Sequence, residues 1–262
     1  MQLPGIRNGP DLGRQDGVRH HDRERRHLLD RGDVKELLTR LRAVAKERLY
    51  DPERPYAYAR TVYLDTPELE YLQSSTRGTT RRVRIRRYAS AATPVGPACY
   101  VGASYLEVKE SSALGRAKLR IAVPAPAVSR LVHGGLTLET YAGSLSTFPV
   151  LADLSRKLRS HLLSPTIATW YRRRSFVAVK DEVRLTIDQE LSYCLASAAD
   201  LDAERAGPDR AYRRGDPVVV EVKWRGDLPA WVDDVFAGFP EAHLFTKYRA
   251  GMQLTRRVRL AA

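Results

Sequence analysis

Basic side chains at every second position are the feature of this sequence with the clearest chemical meaning. The segment 82–86 reads Arg-Val-Arg-Ile-Arg, and the segment 116–121 alternates Arg and Lys with apolar residues. Successive side chains of a β-strand point to opposite faces. Each segment therefore predicts a strand with one cationic face and one apolar face. Several guanidinium and ammonium groups on one face are suited to a multiply charged anion.

Six predicted strands carry charge of the same sign on their polar faces. The ten bases are Arg82, Arg84, Arg86, Lys109, Arg116, Lys118, Arg120, Arg173, Arg184 and Lys223, and the three acids are Glu107, Asp188 and Glu221. For any single strand, an ordinary sheet with one solvent-exposed face explains the alternation. Like charges opposite each other across strands are destabilising. Six such strands therefore favour a closed barrel whose interior is the charged face.

The three carboxylates on these faces predict a divalent cation. A carboxylate repels phosphate, but it can hold a metal ion that bridges to phosphate oxygens. Carboxylate and phosphate oxygens are suited to Mg²⁺ or Mn²⁺. Simpler interpretations remain open for two of the three acids. Asp188 could pair with Arg184 or cap a strand end, and Glu107 could serve as a salt-bridge partner of nearby cations.

The elements that must position these residues follow from the hydrophobic period. Alternation predicts strands at 60–65, 80–88, 104–110, 116–123, 167–173, 175–180, 183–188 and 218–225. Apolar residues at helical spacing predict helices at 33–49, 151–162 and 229–239. Gly, Pro and Ala mark loops at 89–103 and 198–217. The predicted fold class is α+β, an antiparallel β-barrel with helices packed outside.

Length and charge restrict the class of partner. The 262 residues contain 43% hydrophobic side chains, which is enough for a sizeable core. Of the 44 basic residues 36 are arginine, and the formal net charge is +13. An anion is therefore the expected partner, whether nucleic acid, membrane headgroup, nucleotide or polyanion chain. Two cysteines, Cys99 and Cys194, exclude a disulfide scaffold.

The chain shows neither an apolar run long enough for a membrane span nor an apolar signal core. We therefore expect a soluble, cytoplasmic protein. Residues 1–18 are rich in Gly, Pro, Asn and Asp and show no period, which predicts a disordered tail. Residues 19–262 are then expected to form one domain.

Eight short segments resemble the VTC domain, the catalytic domain of the vacuolar transporter chaperone complex. They lie at 24–29 (Glu-Arg-Arg-His-Leu-Leu), 63–67 (Tyr-Leu-Asp-Thr-Pro), 82–88, 106–109 (Leu-Glu-Val-Lys), 171–176, 184–188, 220–224 (Val-Glu-Val-Lys-Trp) and 246–248 (Thr-Lys-Tyr). Each segment alone is weakly specific. Eight segments in the family's order, over most of the chain, form a specific pattern. The VTC domain is one of the triphosphate tunnel metalloenzymes, so the resemblance implies an antiparallel β-tunnel.

The resemblance also implies an activity and a set of site residues. It implies a polyphosphate polymerase that transfers the terminal phosphoryl group of ATP to a growing inorganic polyphosphate chain, with Mn²⁺ or Mg²⁺. Matched by position, the expected catalytic residues are Arg84, Arg86, Lys109, Arg173 and Lys247. The expected substrate-binding residues are Arg26, Arg82, Lys118, Lys223 and Thr246, and the expected metal ligands are Glu221 and Glu107.

The sequence departs from the family pattern at three positions, and the assignment of a fourth has an alternative. Arg26 stands where the family usually has Lys, Thr246 where it has Ser, and Trp224 where it often has Tyr. The position assigned to Lys118 follows a loop of variable length, so Arg116 is an alternative.

Three other functions remain open at this stage. A tunnel-fold triphosphatase would use nearly the same site, with water in place of the acceptor phosphate. A non-catalytic module would bind polyphosphate or inositol phosphates without turnover. Nucleic-acid binding is the usual interpretation of a pI near 9.9. It is disfavoured because the bases alternate along strands and no recognition motif is present, so no nucleic acid is expected as a partner.

Overall fold

The computed structural model describes residues 23–74, 80–112, 115–142, 149–178, 180, 182–202, 204, 206–208, 212–215 and 217–259. The predicted tail at 1–18 lies outside these residues, as does the side chain of Arg116. Ten strands are described: β1 Arg23–Leu29, β2 Lys46–Glu47, β3 Tyr56–Asp65, β4 Thr80–Ala91, β5 Cys99–Ser112, β6 Gly115–Val123, β7 Ser164–Ala178, β8 Val183–Leu195, β9 Arg213–Arg214 and β10 Val218–Trp224. The α-helices in this part of the chain are α1 Asp33–Arg42, α2 Glu70–Ser74, α3 Val128–Val132, α4 Glu139–Ala142, α5 Pro149–Arg159, α6 Ala199–Asp202, α7 Ala230–Phe236 and α8 Lys247–Arg259.

All ten strands belong to one antiparallel sheet. Its main path runs β1-β10-β8-β7-β3-β4-β5-β6, with β2 paired to β7 and β9 paired to β8. Within the described residues the two end strands, β1 and β6, do not pair, so backbone hydrogen bonds do not close the sheet. The predicted antiparallel α+β class is confirmed, whereas the closed barrel is not. Alternation identifies the residues that share a face, but it does not reveal whether the two edges of the sheet meet.

The charged positions of neighbouring strands lie in register with one another. Arg84 of β4 is opposite Glu107 of β5, which is opposite Arg120 of β6. Arg26 of β1 is likewise opposite Glu221 of β10. Side chains directly opposite on one face are close neighbours. The predicted alternation therefore becomes a continuous polar surface that runs across the sheet.

The apolar positions of the same strands form two cores on the other face. Residues of β4, β5 and β6, such as Val83 and Leu106, are buried beneath α3 and α5. Residues of β8 and β10, such as Leu185 and Val220, are buried against α1 and α7. Burial of such a side chain stabilises the fold by roughly 1.5–3 kcal/mol. These helices therefore pack outside the sheet, as predicted.

Helix α8 packs on the opposite, polar side of the sheet. Its Tyr248 stacks on Tyr63 of β3, with ring centroids 4.9 Å apart. Tyr248 also donates a hydrogen bond of 2.7 Å to Asp65, whose fully buried carboxylate accepts three further bonds from the backbone N–H groups of Thr66, Tyr71 and Leu72. Asp65 therefore joins β3, α2 and α8.

Several predicted elements differ from the observed ones. The predicted helix at 33–49 ends at Arg42, and the chain then forms β2 on β7. The strands predicted at 167–173 and 175–180 are one strand, β7, and the predicted loop at 89–103 contains the end of β4 and the start of β5. Strand β1 and helix α8 were not predicted. Both depend on pairing or packing partners that are distant in the sequence, and a local pattern does not reveal such partners.

Candidate functional site

The polar face of the sheet borders a cavity of about 1250 Å³. Eleven cations that line it come from seven strands and from the first residue of α8: Arg26, Arg82, Arg84, Arg86, Lys109, Lys118, Arg120, Arg173, Arg184, Lys223 and Lys247. Arg48, Arg54, Arg174 and Arg249 line it as well. Thr246 and Glu221 also line this cavity. The structure thus brings together the predicted substrate-binding residues, the predicted catalytic residues and one of the two predicted metal ligands.

Glu107, the other predicted metal ligand, lies behind this layer of cations. Its side chain is fully buried, and its Oε2 accepts from Nε and Nη2 of Arg84 at 2.8 and 2.6 Å. Its Oε1 lies 3.1 Å from Nε of Arg120 and 3.5 Å from Nζ of Lys118. Nη1 of Arg86 is 3.9 Å from Oε2. Burial by itself raises the pKa of Glu107, but these four cations hold it well below its usual value.

Asp188 forms a second buried anchor for cations. Its carboxylate accepts two hydrogen bonds from Arg173, at 2.6 and 2.7 Å, and Nζ of Lys247 lies 2.7 Å from Oδ2. Burial opposes ionisation, but Arg173 and then Lys247 keep the pKa of Asp188 below its ordinary value. Lys247 also lies over the ring of Tyr171, 4.9 Å from its centroid. Asp188 is therefore satisfied by residues of β7 and α8.

Two further carboxylates face the cavity side by side. Nζ of Lys223 lies 3.5 Å from Glu221 and 3.7 Å from Glu24, and Arg26 contacts both acids. Burial raises the pKa of each, and the charge of Glu221 further raises that of Glu24, but the surrounding cations, Lys223 first among them, leave both pKa values lowered. The sequence interpretation missed Glu24 as a site residue. Its position two residues before Arg26 on β1 was the available signal, because side chains two apart share a strand face.

The metal that the resemblance implies requires oxygen donors that face the cavity. In the described part of the chain, no three His, Cys, Asp or Glu side chains converge as a group able to hold a metal ion alone. Mg²⁺ and Mn²⁺ are often held by one or two carboxylates together with phosphate oxygens of the substrate. Glu221 and Glu24 fit that requirement because both face the cavity. The metal-binding role of Glu107 stays a prediction.

Lys109 and Arg82 are cations of a different kind. No carboxylate of the described residues lies within ion-pair distance of either side chain. They are direct cross-strand neighbours, and Lys118 follows Lys109 on the next strand. Burial and then the charges of Lys223 and Arg84 lower the pKa of Lys109 well below its usual value. An anion that bound beside Lys109 and Arg82 would relieve this repulsion. These two residues therefore form a part of the cavity that favours an anionic ligand.

The start of α8 adds backbone donors to the same cavity. Thr246 precedes the helix, and its Oγ1 accepts a hydrogen bond of 3.1 Å from the backbone N–H of Arg249. The hydroxyl hydrogen of Thr246 remains available to a ligand. A helix N-terminus favours anions. Lys247 and Thr246 therefore bring a positive charge, a hydroxyl donor and a helix dipole to one place.

Arg120 is a second residue that the predicted site omitted. It belongs to the alternating segment of β6, lines the cavity and donates to the hydroxyl of Tyr88 at 2.6 Å. Its guanidinium also lies 4.0 Å from the ring centroid of Tyr105. The alternation placed Arg120 on the cationic face, but the family pattern assigned it no role.

Comparison with known proteins identifies a family and several solved structures of low similarity. A family model of the VTC domain matches residues 21–256. No curated protein is similar enough in sequence to be considered a relative. Among solved structures, a protein of Pyrococcus horikoshii OT3 is 10% identical, with a TM-score of 0.45 and coverage of 91% of this chain and 99% of the other. A candidate adenylyl cyclase from Hippeastrum, described as having dominant triphosphatase activity, is 13% identical, with a TM-score of 0.49 and coverage of 90% and 97%.

A candidate adenylate cyclase from Bacillus halodurans is 12% identical, with a TM-score of 0.46 and coverage of 78% of this chain and 80% of the other. Within the described residues, no helix is both long enough and apolar enough to cross a bilayer.

Proposed function

Because the chain belongs to the VTC domain family, we propose that it is a metal-dependent polyphosphate polymerase. It transfers the terminal phosphoryl group of ATP to the end of an inorganic polyphosphate chain. The observation that carries the proposal is the cavity itself, in which cations from seven strands and α8 surround one space beside a pair of carboxylates. A linear anion with a charge on every phosphate fits a wall of this kind.

The protein's contribution to such a reaction is alignment and charge neutralisation. Arg84, Arg86, Lys109, Arg173 and Lys247 are proposed to hold the reacting phosphates. Arg26, Arg82, Lys118, Lys223 and Thr246 are proposed to bind the rest of the substrate. Arg86 and Arg173 are well suited to this role because neighbouring side chains hold them in place. Arg86 donates hydrogen bonds to Thr61 and Tyr171, and Arg173 donates to Asp188.

Glu221 and Glu24 are the residues that would hold Mn²⁺ or Mg²⁺ together with phosphate oxygens. When bound, the metal supplies additional positive charge to the phosphates and helps to orient them. Their partial exposure to the cavity distinguishes them from the fully buried Glu107 and Asp188.

The acceptor supplies the nucleophile in this scheme. An oxygen of its terminal phosphate is already ionised at neutral pH, so no strong general base is required. The bond between the γ-phosphorus and the bridging oxygen of ATP breaks, a new phosphorus–oxygen bond to the acceptor forms, and ADP leaves with the bridging oxygen. The cations of the wall stabilise the charge that is redistributed along this line.

The decisive experiment is product analysis with the purified chain, ATP and Mn²⁺. We expect ADP and a ladder of polyphosphate on a gel, and we expect Glu221→Gln to abolish both. Asp153→Asn is the control, because Asp153 pairs with Arg81 and Arg156 outside the cavity. Orthophosphate without a ladder would identify a triphosphatase instead. Tight binding of polyphosphate without turnover, unaffected by EDTA, would identify a binding module.

A further inference from the structure

Glu107 occupies an unusual position for a residue expected to bind metal. Its side chain is fully buried, and four cations that line the cavity lie between it and the open space. Two N–H groups of Arg84 converge on Oε2, while Arg120 and Lys118 face Oε1. A divalent ion at these oxygens would be surrounded by positive charge.

Two of these cations, Arg86 and Arg120, are also held by neutral side chains that line the cavity or lie behind it. Arg86 donates from Nε to Thr61 at 3.2 Å and from Nη2 to the hydroxyl of Tyr171 at 2.7 Å. Arg120 donates from Nη2 to the hydroxyl of Tyr88 at 2.6 Å. Each guanidinium thus donates to a neutral side chain and also faces Glu107. Glu107 is the common charged contact of this arrangement.

We propose that Glu107 is a positioning residue, not a metal ligand, and that it orients Arg84, Arg86, Lys118 and Arg120 to receive a chain of phosphates. The inference rests on the proposed function for the identity of the anion. Guanidinium groups that are fixed in advance lose less conformational entropy when they bind an oxyanion. In metal sites, loss of a residue that orients the ligands typically costs about 10- to 100-fold in affinity, and we expect an effect of the same order for these anion-binding cations.

The substitution Glu107→Asp distinguishes the orienting effect of this side chain from the effect of its negative charge. It keeps the negative charge but shortens the side chain by one methylene, so Arg84 cannot keep both contacts in the same place. We expect metal-free tripolyphosphate, titrated in EDTA by calorimetry, to bind this variant at least about tenfold more weakly than the wild type. Wild-type affinity in Glu107→Asp would mean that only the charge matters, and it would overturn the inference. Failure of the wild-type chain to bind tripolyphosphate would overturn it as well.

Metal binding provides the second readout. Free Mn²⁺ is measured by electron paramagnetic resonance as the metal is added to each variant loaded with one equivalent of tripolyphosphate, because phosphate oxygens complete the proposed site. We expect Glu107→Gln to bind Mn²⁺ as the wild type does and Glu221→Gln to bind it more weakly. Equal weakening by both substitutions would identify Glu107 as a ligand and overturn the inference. Asp153→Asn, which lies outside the cavity, should change neither titration.

A double-mutant cycle of Glu107→Gln with Arg84→Lys keeps the test valid if Glu107→Asp folds poorly. Arg84→Lys keeps the positive charge but cannot place two N–H groups on one oxygen. Because Glu107 acts partly through Arg84, the loss of tripolyphosphate affinity in the double variant should be smaller than the sum of the two single losses. Additive losses would contradict the inference. An absent polyphosphate ladder in the wild type would overturn the proposed polymerase but not this result, because both titrations are independent of turnover.

Discussion

Four carboxylates that contact the cations of the cavity differ in their surroundings, and the difference assigns them different tasks. Glu107 and Asp188 are fully buried and enclosed by cations. Glu24 and Glu221 are partly exposed to the cavity. A buried carboxylate is costly unless it is paired and hydrogen-bonded. The first two therefore fix the cationic wall, and the latter two remain accessible to whatever enters.

Replacement of Asp188 should show its structural contribution and its pH dependence. Asp188→Asn leaves Arg173 and Lys247 without their charge partner, and we expect the free energy of unfolding at pH 7 to fall by about 3–5 kcal/mol. The pKa of Asp188 is depressed in the folded state, so its contribution is present above the unfolded-state value and is lost as pH falls through the folded value. The difference between variant and wild type should therefore shrink below pH 3.8.

Urea unfolding at pH 7 and at pH 3 measures this difference. Glu36→Gln is the matched control, because Glu36 pairs with Arg40 on the exposed face of α1. Such a surface pair contributes about 0.3–0.5 kcal/mol. A stability difference for Asp188→Asn that stays constant across pH would show that the charge of the carboxylate is not its source.

At the scale of elements, helix α8 is the part of the fold that joins the core to the cavity. Its first residue, Lys247, reaches Asp188, and its second, Tyr248, reaches Asp65. One turn later, Gly251 lies against Ile167 and Tyr193, where a Cβ would be 2.8 Å from each side chain. The close approach of α8 to β7 and β8 therefore depends on a residue without a side chain.

Gly251→Ala tests this close approach. Alanine ordinarily stabilises a helix by about 1 kcal/mol relative to glycine. Here we expect the opposite sign, a loss of about 1–3 kcal/mol, because the added methyl group overpacks the contact. Gly32→Ala is the control, since a Cβ added there would have no neighbour within 4 Å and the φ of −62° suits alanine. Thermal denaturation of both variants decides the point, and a stabilised Gly251→Ala protein would show that the contact relaxes easily.

At the scale of the whole molecule, the positions of the positive charges determine which anion can bind and how strongly the cations repel one another. The formal net charge is +13. Much of the cationic charge lies around one cavity, where low solvent exposure strengthens repulsion between like charges. The sheet carries this repulsion on one face and two apolar cores on the other. A linear polyanion in the cavity would offset the repulsion and stabilise the fold.

Ligand-induced stabilisation distinguishes the cavity from the outer surface. A ligand at one hundred times its dissociation constant stabilises the native state by about 2.7 kcal/mol. We expect tripolyphosphate to raise the melting temperature measured by thermal shift. A single-stranded DNA oligonucleotide at the same phosphate concentration should have a much smaller effect, because sugars separate its phosphates and lower the density of negative charge along the chain. Equal shifts would indicate binding to exposed charge instead.

The sequence alone was sufficient to identify the residues that share the cationic face. The period of two in 82–86 and 116–121 follows from strand geometry, so Arg84, Arg86 and Lys118 were assigned to one surface before any partner was known. The order of the short motifs was likewise sufficient for the family, which the match over residues 21–256 confirms. The period of two and the short motifs are both local patterns, so they can be recognised before the fold is known.

Tertiary structure decided which charges meet and where the sheet ends. Asp188 contacts Arg173 and Lys247, and Glu24 lies beside Glu221, although these residues are far apart in the sequence. Among the described residues, the lack of pairing between β1 and β6 and the position of α8 on the polar side were also beyond the sequence pattern. Strand register and the path of the chain between strands set these contacts, and both result from packing over the whole sheet rather than from any one segment.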